Sequence, residues 1–582
     1  MGGQVGDTMP ESRRLDRLTS MMRRRGIVFP SFEIYGGVAG LVDYGPVGAT
    51  IKRKVIESWI DHWTSWGDIV EVDSPTITPK SVLVASGHVG EFNDYMSECL
   101  SCKSIFRSDH LIEGLHENPD SLDGEELDSV ISSNNVSCPK CGEIDWSDAR
   151  PMNLMFPTTI GAMSSGREAY MRPETAQGMF MLYPSLYRHF KQKLPFGAVQ
   201  TGRGYRNEIS PRQGMIRLRE FNMAELEYFI DPEDPPGRNE LGEDKGTMVE
   251  MISDPEGEYP GKHRISFRDA LDTGIVRHPT VALFLERTYD FLIKIGIDGG
   301  KIRFRQHAGS EMAHYASDCW DCEILGEYGW VECVGIANRT CHDLESHEAH
   351  SGTNLLRAWR HFETPRKVSK EVLSPNGSII GPVFRQRANE VVSAISDLSS
   401  APSSIPFILS LEDGSEVEIT SEMVTLKKEE GNVHGEWFTP HVIEPAFGID
   451  RIIWHVLDHA FAEDGKESED YVTLRLNEKV CPYDITILPL FDKDGMDVLA
   501  ESLLSDVLAI RGIQVNLDST GSIGKRYARA DEIGVPWAVT VDHSSLEDGT
   551  VTVRNRDNQQ QIRVATEKLI RHIENRDISS LF

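Results

Sequence analysis

The sequence of 582 residues has no long apolar run and few cysteines. Because no stretch of about 18 apolar residues occurs, a transmembrane helix is not expected. Nine cysteines in a chain of this length indicate free thiols or metal ligands in a reducing compartment, and not a disulfide scaffold. Neither a GxGxxG nor a GxxxxGK(S/T) phosphate loop is present, so the usual sequence marks of a nucleotide site are missing.

Basic residues are also fewer than acidic residues in this sequence. The 60 basic and 91 acidic residues give a formal net charge of −31. This balance argues against a protein that coats nucleic acid indiscriminately, because such a protein needs a basic surface. An enzyme that meets RNA through local basic patches is still compatible with it. A saline cytoplasm is an alternative source of the acidity.

The N-terminal segment, Met1 to Arg25, is polar and rich in arginine. It lacks the apolar core of a secretory signal. An Arg-rich start is also found in transit peptides, but Asp7, Glu11 and Asp16 argue against one. We therefore expect a helical lead-in to the fold and a cytoplasmic location.

A long helix is predicted after Gly45-Pro46, because proline in the first turn loses no hydrogen bond. Gly67 is expected to end it, and residues 69–72 to lead as a strand into Pro75. Core packing and an oligomer interface are the two interpretations of an apolar stripe on this helix. The stripe consists of Val47, Ile51, Val55, Trp59 and Trp63.

The chain is longer than one hydrophobic core can support, so two to four domains are expected. Strands alternate with helices over the last ~100 residues, which indicates a separate α/β domain. Its predicted elements are Ile485–Leu488, Met496–Arg511, Ile513–Leu517, Ile523–Ile533 and Trp537–Val541. The expected segments are 1–98, 99–149, 150–365 (with a loop or small insertion at 231–263), 366–430, 431–477 and 478–582.

Residues 201–227 are rich in arginine. Alternation in Ile216–Phe221 predicts a strand, so Arg206 and Arg217 are expected on adjacent antiparallel strands joined by the loop at 210–212. Guanidinium groups bind phosphate oxygens bidentately and stay charged, so such a pair suits a polyphosphate. A solvated hairpin with surface ion pairs is the alternative. The arginines are Arg203, Arg206, Arg212, Arg217 and Arg219.

Three segments, in order, resemble the signature motifs of class II aminoacyl-tRNA synthetases. The long helix with the Pro75 strand resembles the first motif, which usually forms the dimer interface. Arg-Asn-Glu at 206–208 with Arg-x-x-Glu-Phe at 217–221 resembles the second, and Glu-Pro-Ala-Phe-Gly-Ile-Asp-Arg at 444–451 the third. The resemblance runs from about Ser31 to the C-terminus and is weakest in the insertions.

Further motifs are similar to those of the glycine-specific, dimeric branch of that family, the archaeal and eukaryotic type. They are Arg-Pro-Glu-Thr-Ala-Gln-Gly at 172–178, Trp-Val-Glu at 330–332 and Ala-Asn-Arg at 337–339. The resemblance implies ATP-dependent conversion of glycine to glycyl-adenylate and pyrophosphate. Glycine is then transferred to the 3′-terminal adenosine of tRNA(Gly), in a cytoplasmic homodimer.

The implied fold class is α/β (α+β), an antiparallel sheet flanked by helices and not a Rossmann fold. The catalytic domain would comprise 1–98, 150–365 and 431–477, with an inserted module at 366–430. A zinc-ribbon-like insertion is implied for 99–149. The domain at 478–582 resembles the anticodon-binding module shared with the histidine, proline and threonine enzymes.

The second motif implies contacts to ATP. By motif position, Arg206 contacts the α-phosphate, Glu208 lies at the adenine side and Phe221 stacks on adenine. Arg217 lies near the γ-phosphate, and Arg451 of the third motif clamps the polyphosphate from the opposite end. The implied ATP-binding residues are Arg206, Asn207, Glu208, Arg217, Leu218, Phe221, Glu332, Cys333 and Arg451.

Glu332, with Cys333 beside it, matches the position that holds ATP through Mg²⁺. Charge that develops on the phosphates can be stabilised by the arginines and the metal. The implied catalytic residues are therefore Arg206, Glu332 and Arg451. No Ser/His/Asp or Cys/His nucleophile is required.

Selection of glycine must work by exclusion, because a pocket gains only ~1–3 kcal/mol per methylene. A tight polar pocket can grip the ammonium group and leave no room at Cα. Converging acids are costly without a cation and would act as ligands. The implied glycine-binding residues are the acidic wall Glu174, Glu225 and Glu444, the carboxylate partner Arg339, and Ala446 and Arg107. The family commonly has serine where this chain has Ala446, so a hydroxyl near the substrate Cα is missing.

Four cysteines have zinc-ribbon spacing: Cys99-x2-Cys102 and Cys138-x2-Cys141. Four thiolates suit tetrahedral Zn²⁺, with free thiols of a degenerate site as the alternative. The resemblance gives this zinc a structural role near the tRNA acceptor end. Four further cysteines could form a second metal site or be ordinary buried thiols, and the family pattern favours buried thiols. They are Cys319, Cys322, Cys333 and Cys341.

The C-terminal domain has a local basic patch. Positive patches of this kind can contact RNA phosphates despite an acidic total charge, and solvated surface is the alternative. The residues are Lys525, Arg526, Arg529, Arg554 and Arg556.

Two other functions predict different residues. A catalytically inactive, synthetase-like RNA binder or accessory subunit would lack Arg206, Glu332 or Arg451, and all three are present. A class II enzyme for proline or threonine would lack the set of Glu174, Glu225 and Glu444.

Overall fold

The computed structural model describes residues 11–116, 119, 122–162, 165–209, 211, 214–242, 247–309, 312, 316–398, 402, 404–411, 413–463 and 471–582. Asp7, Ser210 and Arg212, which entered the sequence predictions, lie outside these residues. The chain forms two compact units, Met1–Leu356 with Pro440–Phe582, and Arg357–Thr439. Among the described residues, no helix is both long enough and apolar enough to cross a membrane.

The strands are β1 Val28–Pro30, β2 Val42–Tyr44, β3 Ile69–Glu71, β4 Ile77–Pro79, β5 Asn93–Glu98, β6 Ile105–Arg107, β7 Arg150–Asn153, β8 Pro157–Ile160, β9 Arg167–Met171, β10 Phe196–Tyr205, β11 Glu220–Ile230, β12 Val249–Ser253, β13 Gly261–Ile265, β14 Ile302–Gln306, β15 Asp318–Gly326, β16 Gly329–Thr340, β17 Ala358–Pro375, β18 Phe407–Ser410, β19 Glu416–Ile419, β20 Val424–Phe438, β21 His441–Gly448, β22 Phe461–Ala462, β23 Thr473–Leu474, β24 Ile485–Pro489, β25 Val515–Leu517, β26 Trp537–Val541, β27 Thr550–Asn555 and β28 Gln561–Ala565.

The α-helices are α1 Glu11–Arg24, α2 Pro46–Thr64, α3 Lys80–Ala85, α4 His88–Glu91, α5 Ser108–Leu111, α6 Gly124–Ser133, α7 Ala176–His189, α8 Phe267–Asp272, α9 Pro279–Lys294, α10 His342–Ser351, α11 Gly377–Phe384, α12 Ala388–Ser396, α13 Ile449–Ala460, α14 Met496–Leu508, α15 Ile523–Glu532, α16 His543–Asp548 and α17 Thr566–Glu574. The predicted N-terminal helical lead-in corresponds to α1.

A nine-stranded sheet forms the centre of the first unit, in the order β13-β12-β14-β15-β16-β21-β11-β10-β3. All neighbours are antiparallel except the β12–β14 and β10–β3 pairs. This confirms the expected antiparallel sheet flanked by helices. The sheet order brings β11, β16 and β21 together, although they lie far apart in the sequence, and so sets the position of the site.

The stripe on α2 is part of the core. Trp59 and Trp63 are fully buried, and their rings meet Phe447 at centroid distances of 5.6 and 6.1 Å. Trp63 also packs edge-on against Phe284 at 5.2 Å. Core packing is therefore the correct interpretation of this face. The helix ends at Thr64, slightly before Gly67, whose φ is +84°.

One local prediction was wrong: the strand expected over Ile216–Phe221 begins only at Glu220, and the residues before it lie in a loop. The segment 231–263, for which a loop and a small insertion were the two interpretations, contains β12 and the start of β13, so it is not a loop throughout. β12 pairs with β13 and with β14. The Pro- and Gly-rich composition of the segment does not reveal these pairings.

The second unit, Arg357–Thr439, has a long antiparallel ribbon of β17 and β20. Its own apolar core is formed by α11, α12 and the β18–β19 hairpin together with one end of the ribbon. The expected module at 366–430 lies within this unit.

The C-terminal domain has a five-stranded sheet in the order β25-β24-β26-β27-β28, and the alternation predicted there is present. The predicted helix to Arg511 is shorter and ends at Leu508, and the strand predicted from Ile513 begins at Val515. The apolar core between sheet and helices belongs to this domain itself.

The basic patch expected in this domain is largely wrong, because three of its arginines are buried. Arg554 makes two hydrogen bonds to Asp531, at 2.9 and 3.0 Å. Arg556 donates to the carbonyl oxygens of two residues, and Arg526 to those of three. The guanidinium groups of Arg526 and Arg556 therefore bind backbone carbonyl oxygens inside the domain. Lys525 is the exposed residue of the predicted patch.

Candidate active site

A cavity of about 280 Å³ lies against the part of the sheet where β11, β21, β16 and β15 run side by side. It collects most of the residues that the sequence predicted. These are Glu174, Arg206, Glu208, Arg217, Leu218, Phe221, Glu225, Glu332, Cys333, Arg339, Glu444, Ala446 and Arg451.

Arg107 and Asn207 do not line the cavity. The Arg107 guanidinium is held by Asp109, with Nη2 to Oδ2 at 2.5 Å, and by Asp94 at 3.0 Å. The backbone amide of Asn207 donates to the carbonyl oxygen of Leu154 at 2.7 Å. The structure therefore gives both residues other contacts than those expected of them.

The basic end of the cavity is built by the loop between β10 and β11. Arg206 and Arg217 lie in this loop, and not on adjacent strands as predicted. One further hydrogen bond crosses the hairpin after Tyr205, from the amide of Arg206 to the carbonyl oxygen of Arg219 at 2.9 Å. The amide of Arg219 donates instead to the carbonyl oxygen of Gly40 at 2.8 Å, so regular pairing does not continue into the loop. Arg206 and Arg217 nevertheless line the same cavity.

The guanidinium of Arg206 lies over aromatic rings. Its central carbon is 5.1 Å from the ring centre of Phe92 and 5.5 Å from that of Phe221. The buried Nε has no hydrogen-bond partner within the described part of the chain. A buried donor without a partner is costly, so this group can donate a hydrogen bond to an anionic ligand.

Arg451 also lines the cavity and lies in the first turn of α13. Its Nε donates to the carbonyl oxygen of Ile216 at 3.1 Å, and its Nη1 to that of Glu332 at 2.7 Å. The Glu332 carboxylate lies 3.4 Å from the same Nη1 and is about half exposed. One guanidinium therefore connects the β10–β11 loop, β16 and α13.

The opposite end of the cavity is acidic. Adjacent strands supply Glu225 and Glu444, and Glu174 comes from the segment just before α7. Glu225 accepts hydrogen bonds from the amide of Thr175, at 2.7 Å, and from its hydroxyl. Glu174 accepts from the side-chain amide of Gln177 at 2.9 Å.

Burial and mutual repulsion separate the acids by pKa. Burial, together with the charges of Glu444 and Glu174, raises the pKa of Glu225 to about 8. Burial likewise raises the pKa of Glu444, against the opposing effect of Arg339. For Glu174, burial acts in the same direction but is outweighed by His88 and Arg339, which lower its pKa. The acidic end therefore combines carboxylates with protonated acids.

Arg339 supplies the balancing positive charge. Its Nε and Nη2 form a fork to Asp343, at 2.8 and 2.9 Å, and its Nη1 donates to Glu444 at 2.9 Å. The side chain is 2% exposed. Arg339 thus already has two carboxylate partners, and the substrate-carboxylate role expected for it stays a prediction.

Ala446 lies between two neighbours in the sheet, with Glu225 opposite it on β11 and Gly335 on β16. A Cβ added at Gly335 would meet no atom within 4 Å. The space beside Gly335 is therefore open.

Several residues of the site were not predicted. Asp450 accepts hydrogen bonds from the amide and side chain of Asn222, at 2.6 and 2.9 Å, and from Tyr44. Glu227 lies two residues after Glu225 on the same strand, is fully buried, and has no partner for either carboxyl oxygen among the described residues. The alternation of a strand would have placed Glu227 on the face of Glu225, whereas nothing in the sequence indicates the Asp450 contacts.

The four cysteines of the insertion come together. Cys99 Sγ lies 3.6 Å from Cys141 Sγ, and Cys102 Sγ lies 3.7 Å from Cys138 Sγ. All four sulfurs are within 4.8 Å of one another. Tetrahedral Zn²⁺ with bonds of about 2.3 Å needs sulfur separations of about 3.8 Å, so these residues fit zinc.

Family models match two parts of the chain. A model described as "tRNA synthetase class II core domain (G, H, P, S and T)" matches residues 161–240. A model described as "Anticodon binding domain" matches residues 484–576. The first match covers Arg206 to Phe221 and two of the three acids, and the second covers all five strands of the C-terminal sheet.

The chain is similar to curated proteins over nearly its whole length. It is 44% identical to the glycine–tRNA ligase of Methanothrix thermoacetophila, with 96% of each chain covered. It is 43% identical to that of Methanocaldococcus jannaschii and 44% to that of Methanothermobacter thermautotrophicus, with 96% of this chain and 98% of each relative covered.

One solved structure has a related fold. It is the prolyl-tRNA synthetase of Giardia lamblia in complex with prolyl-adenylate, with a TM-score of 0.50 and 13% identity. The match covers 98% of this chain and 82% of that one. It supports the class II fold.

The raised pKa of Glu225 predicts a pH effect on stability. Between its ordinary pKa near 4.5 and the folded value of about 8, this carboxyl keeps its proton when folded and loses it on unfolding. Stability should therefore fall through this group as pH rises from about 4.5 to about 8. In Glu225→Gln this loss should be absent. The free energy of unfolding of the variant, relative to that of the wild type, should therefore rise by at least about 1.4 kcal/mol between pH 5 and pH 8.

Urea denaturation at both pH values measures the effect, with Glu57→Gln on the exposed face of α2 as the control. Glu57 pairs with Arg53 at the surface, so this variant should follow the wild type. Equal pH dependence of Glu225→Gln and the wild type would contradict the prediction.

Proposed function

The chain belongs to the glycine–tRNA ligase family, and from this we propose that it activates glycine with ATP and transfers it to the 3′-terminal adenosine of tRNA(Gly). The observation that carries the proposal is a single cavity with arginines at one end and buried acids at the other. Such a cavity suits a nucleoside triphosphate and a small ammonium compound bound side by side.

The basic end suits the phosphates. Arg206, whose buried Nε has no hydrogen-bond partner among the described residues, would contact the α-phosphate, while Arg217 and Arg451 would hold the outer phosphates. The glycine carboxylate attacks the α-phosphorus in line and pyrophosphate leaves. Positively charged groups fixed in advance stabilise the charge that develops in this step. Arg451 is held by backbone carbonyls, so little reorganisation is needed.

Mg²⁺ binds through one or two carboxylates plus phosphates and water. Glu332 is suited to this role, because its carboxylate reaches the cavity and is only partly occupied by Arg451. When bound, the ion would neutralise phosphate charge. Phe221 offers its ring to adenine, and Glu208 lies beside it in the β10–β11 loop.

The acidic end suits the ammonium group. Glu174, Glu225 and Glu444 surround a space where a cation would offset their mutual repulsion. A group entering here would lie against Ala446 and Gly335, with its Cα close to this part of the sheet. Exclusion of a methyl group, and not attraction, would then select glycine.

The adenylate is consumed in the second step, when the ribose hydroxyl of the terminal tRNA adenosine attacks its carbonyl carbon and AMP leaves. The domain at 484–576 would bind the anticodon, as its family match suggests. Because Arg526, Arg554 and Arg556 are buried, RNA contacts should use other groups, with Lys525 as a candidate.

Removal of a phosphate-binding arginine should slow adenylate formation. Arg206→Ala and Arg451→Ala are each expected to lower kcat for glycine-dependent ATP–pyrophosphate exchange by about 10²–10³-fold, as for loss of one preorganised donor. Arg203→Ala is the matched control, since Arg203 belongs to the same segment but pairs with Glu220 at the surface. If Arg203→Ala lost as much activity as Arg206→Ala, the assignment would be wrong.

A methyl group at Gly335 should close the glycine pocket. Gly335→Ala folds without a clash because its Cβ meets open space, and this space is where glycine is proposed to bind. The KM for glycine in the exchange assay should rise at least about tenfold, while the KM for ATP changes little. Gly377→Ala, where an added Cβ also meets nothing, is the control. An unchanged KM for glycine in Gly335→Ala would place the pocket elsewhere.

We also propose that the insertion holds one structural Zn²⁺ on Cys99, Cys102, Cys138 and Cys141. Elemental analysis of the purified protein should find about one zinc per chain. Cys138→Ser should lose most of it, whereas Cys481→Ser, which changes a buried thiol outside the cluster, should keep it. Equal zinc content in the two variants would argue against this site.

Assembly and location complete the proposal. By family resemblance the protein is a cytoplasmic homodimer, and the dimer surface must be other than the buried stripe on α2. Sedimentation should give twice the chain mass, and cell fractionation should find the protein in the cytoplasm. A monomer, or a membrane-associated or secreted protein, would contradict these two points.

A further inference from the structure

A cluster of three different metal-ligating side chains lies at the wall of the same cavity. His307, Cys319 and Asp321 each offer one donor atom, and these atoms all lie within 4.8 Å of one another. All three residues line the cavity, and no step of the proposed reaction uses them.

Strand geometry explains why they meet. β14 and β15 are antiparallel, and the amide of His307 extends their ladder by donating to the carbonyl oxygen of Cys319 at 3.0 Å. Along β15, Cys319 and Asp321 share the cavity face, while Trp320 and Cys322 are fully buried on the other face. The CxxC spacing of Cys319 and Cys322 therefore splits the pair between two faces, and the partners of Cys319 are His307 and Asp321.

The histidine is already oriented as a ligand. Its Nε2 lies 2.9 Å from Asp321 Oδ1, and the other oxygen of Asp321 accepts from Arg305 Nη2 at 2.9 Å. His307 Nδ1 is buried and makes no hydrogen bond within the described residues. Nε2 and Oδ1 already lie close to the separation of two donors on one metal, so a metal held by both would take the place of the proton in this hydrogen bond. The hydrogen bond to Asp321 raises the pKa of His307 to about 10, so the metal must also displace a proton from the ring.

The donor set has a clear preference. Thiolate and imidazole together suit Zn²⁺ and other thiophilic divalent cations, whereas Mg²⁺ prefers oxygen ligands. Donor separations in a tetrahedral zinc site are about 3.3–3.8 Å, and the three donor atoms here lie within 4.8 Å of one another. A remaining position would face the cavity and be open to water.

We propose that His307, Cys319 and Asp321 form a second metal site, distinct from the four-cysteine cluster, and that Zn²⁺ bound there inhibits glycine activation. The inhibitory part rests on the proposed function. Cys319 lies opposite Ala337, which lies opposite Glu444, so the site is two strands, about 10 Å, from the acids. Binding displaces the thiol proton and the imidazole proton to solvent, and it places a divalent cation at the wall of the cavity.

Cobalt spectroscopy tests the site without any need for activity. Co²⁺ added to the full-length protein should give a thiolate-to-metal absorption band that is larger in the wild type than in Cys319→Ser, by the contribution of one thiolate. Cys341→Ser changes a half-buried cysteine outside the cavity, and its spectrum should match the wild type. His307→Gln should weaken the additional Co²⁺ binding at least about tenfold. Superimposable spectra of the wild type and Cys319→Ser would overturn the site.

Inhibition is measured on the same proteins. With Mg²⁺ in excess, Zn²⁺ should inhibit glycine-dependent exchange in the wild type and in Cys341→Ser, and at least about tenfold more Zn²⁺ should be needed in Cys319→Ser. Equal sensitivity of all three proteins would overturn the inhibitory role. A wild type with no exchange even without Zn²⁺ would refute the proposed function, and the cobalt spectra would still decide whether the site exists.

Discussion

The buried Arg339 guanidinium is the interaction on which the cavity depends. It neutralises Asp343 and Glu444 at once, in a region where Glu174, Glu225 and Glu444 also converge. One cation cannot balance so many carboxylates, and burial therefore keeps some of them protonated. The acidic end of the cavity therefore favours a ligand that brings positive charge. An ammonium group would supply it.

The central sheet turns this charge imbalance into a defined geometry. Glu225, Ala446 and Gly335 lie side by side on β11, β21 and β16, although more than a hundred residues separate neighbours in the chain. Strands fix the acids and the space between them, whereas Arg206 and Arg217 come from a loop and Arg451 from α13. In the proposed function, selection of the amino acid therefore depends on residues of the central sheet, and nucleotide binding on residues of a loop and a helix.

The sequence was sufficient to predict the antiparallel sheet and most cavity residues, because the motifs carry their chemistry in local patterns. It could not predict which charged groups are already paired. Arg526 and Arg554 look like surface charges in the sequence, but carbonyl oxygens and Asp531 hold them inside. Likewise, alternation in the sequence predicts strands for Arg206 and Arg217. It does not reveal that the carbonyl oxygen of Gly40 accepts a hydrogen bond from the amide of Arg219.

The central claim is that this cavity forms an adenylate with glycine and excludes larger amino acids. ATP–pyrophosphate exchange with glycine, alanine and serine, measured side by side on the wild-type protein, tests it most directly. The account predicts exchange with glycine and little or none with alanine or serine. No exchange with any of the three, or exchange with alanine but not with glycine, would contradict it.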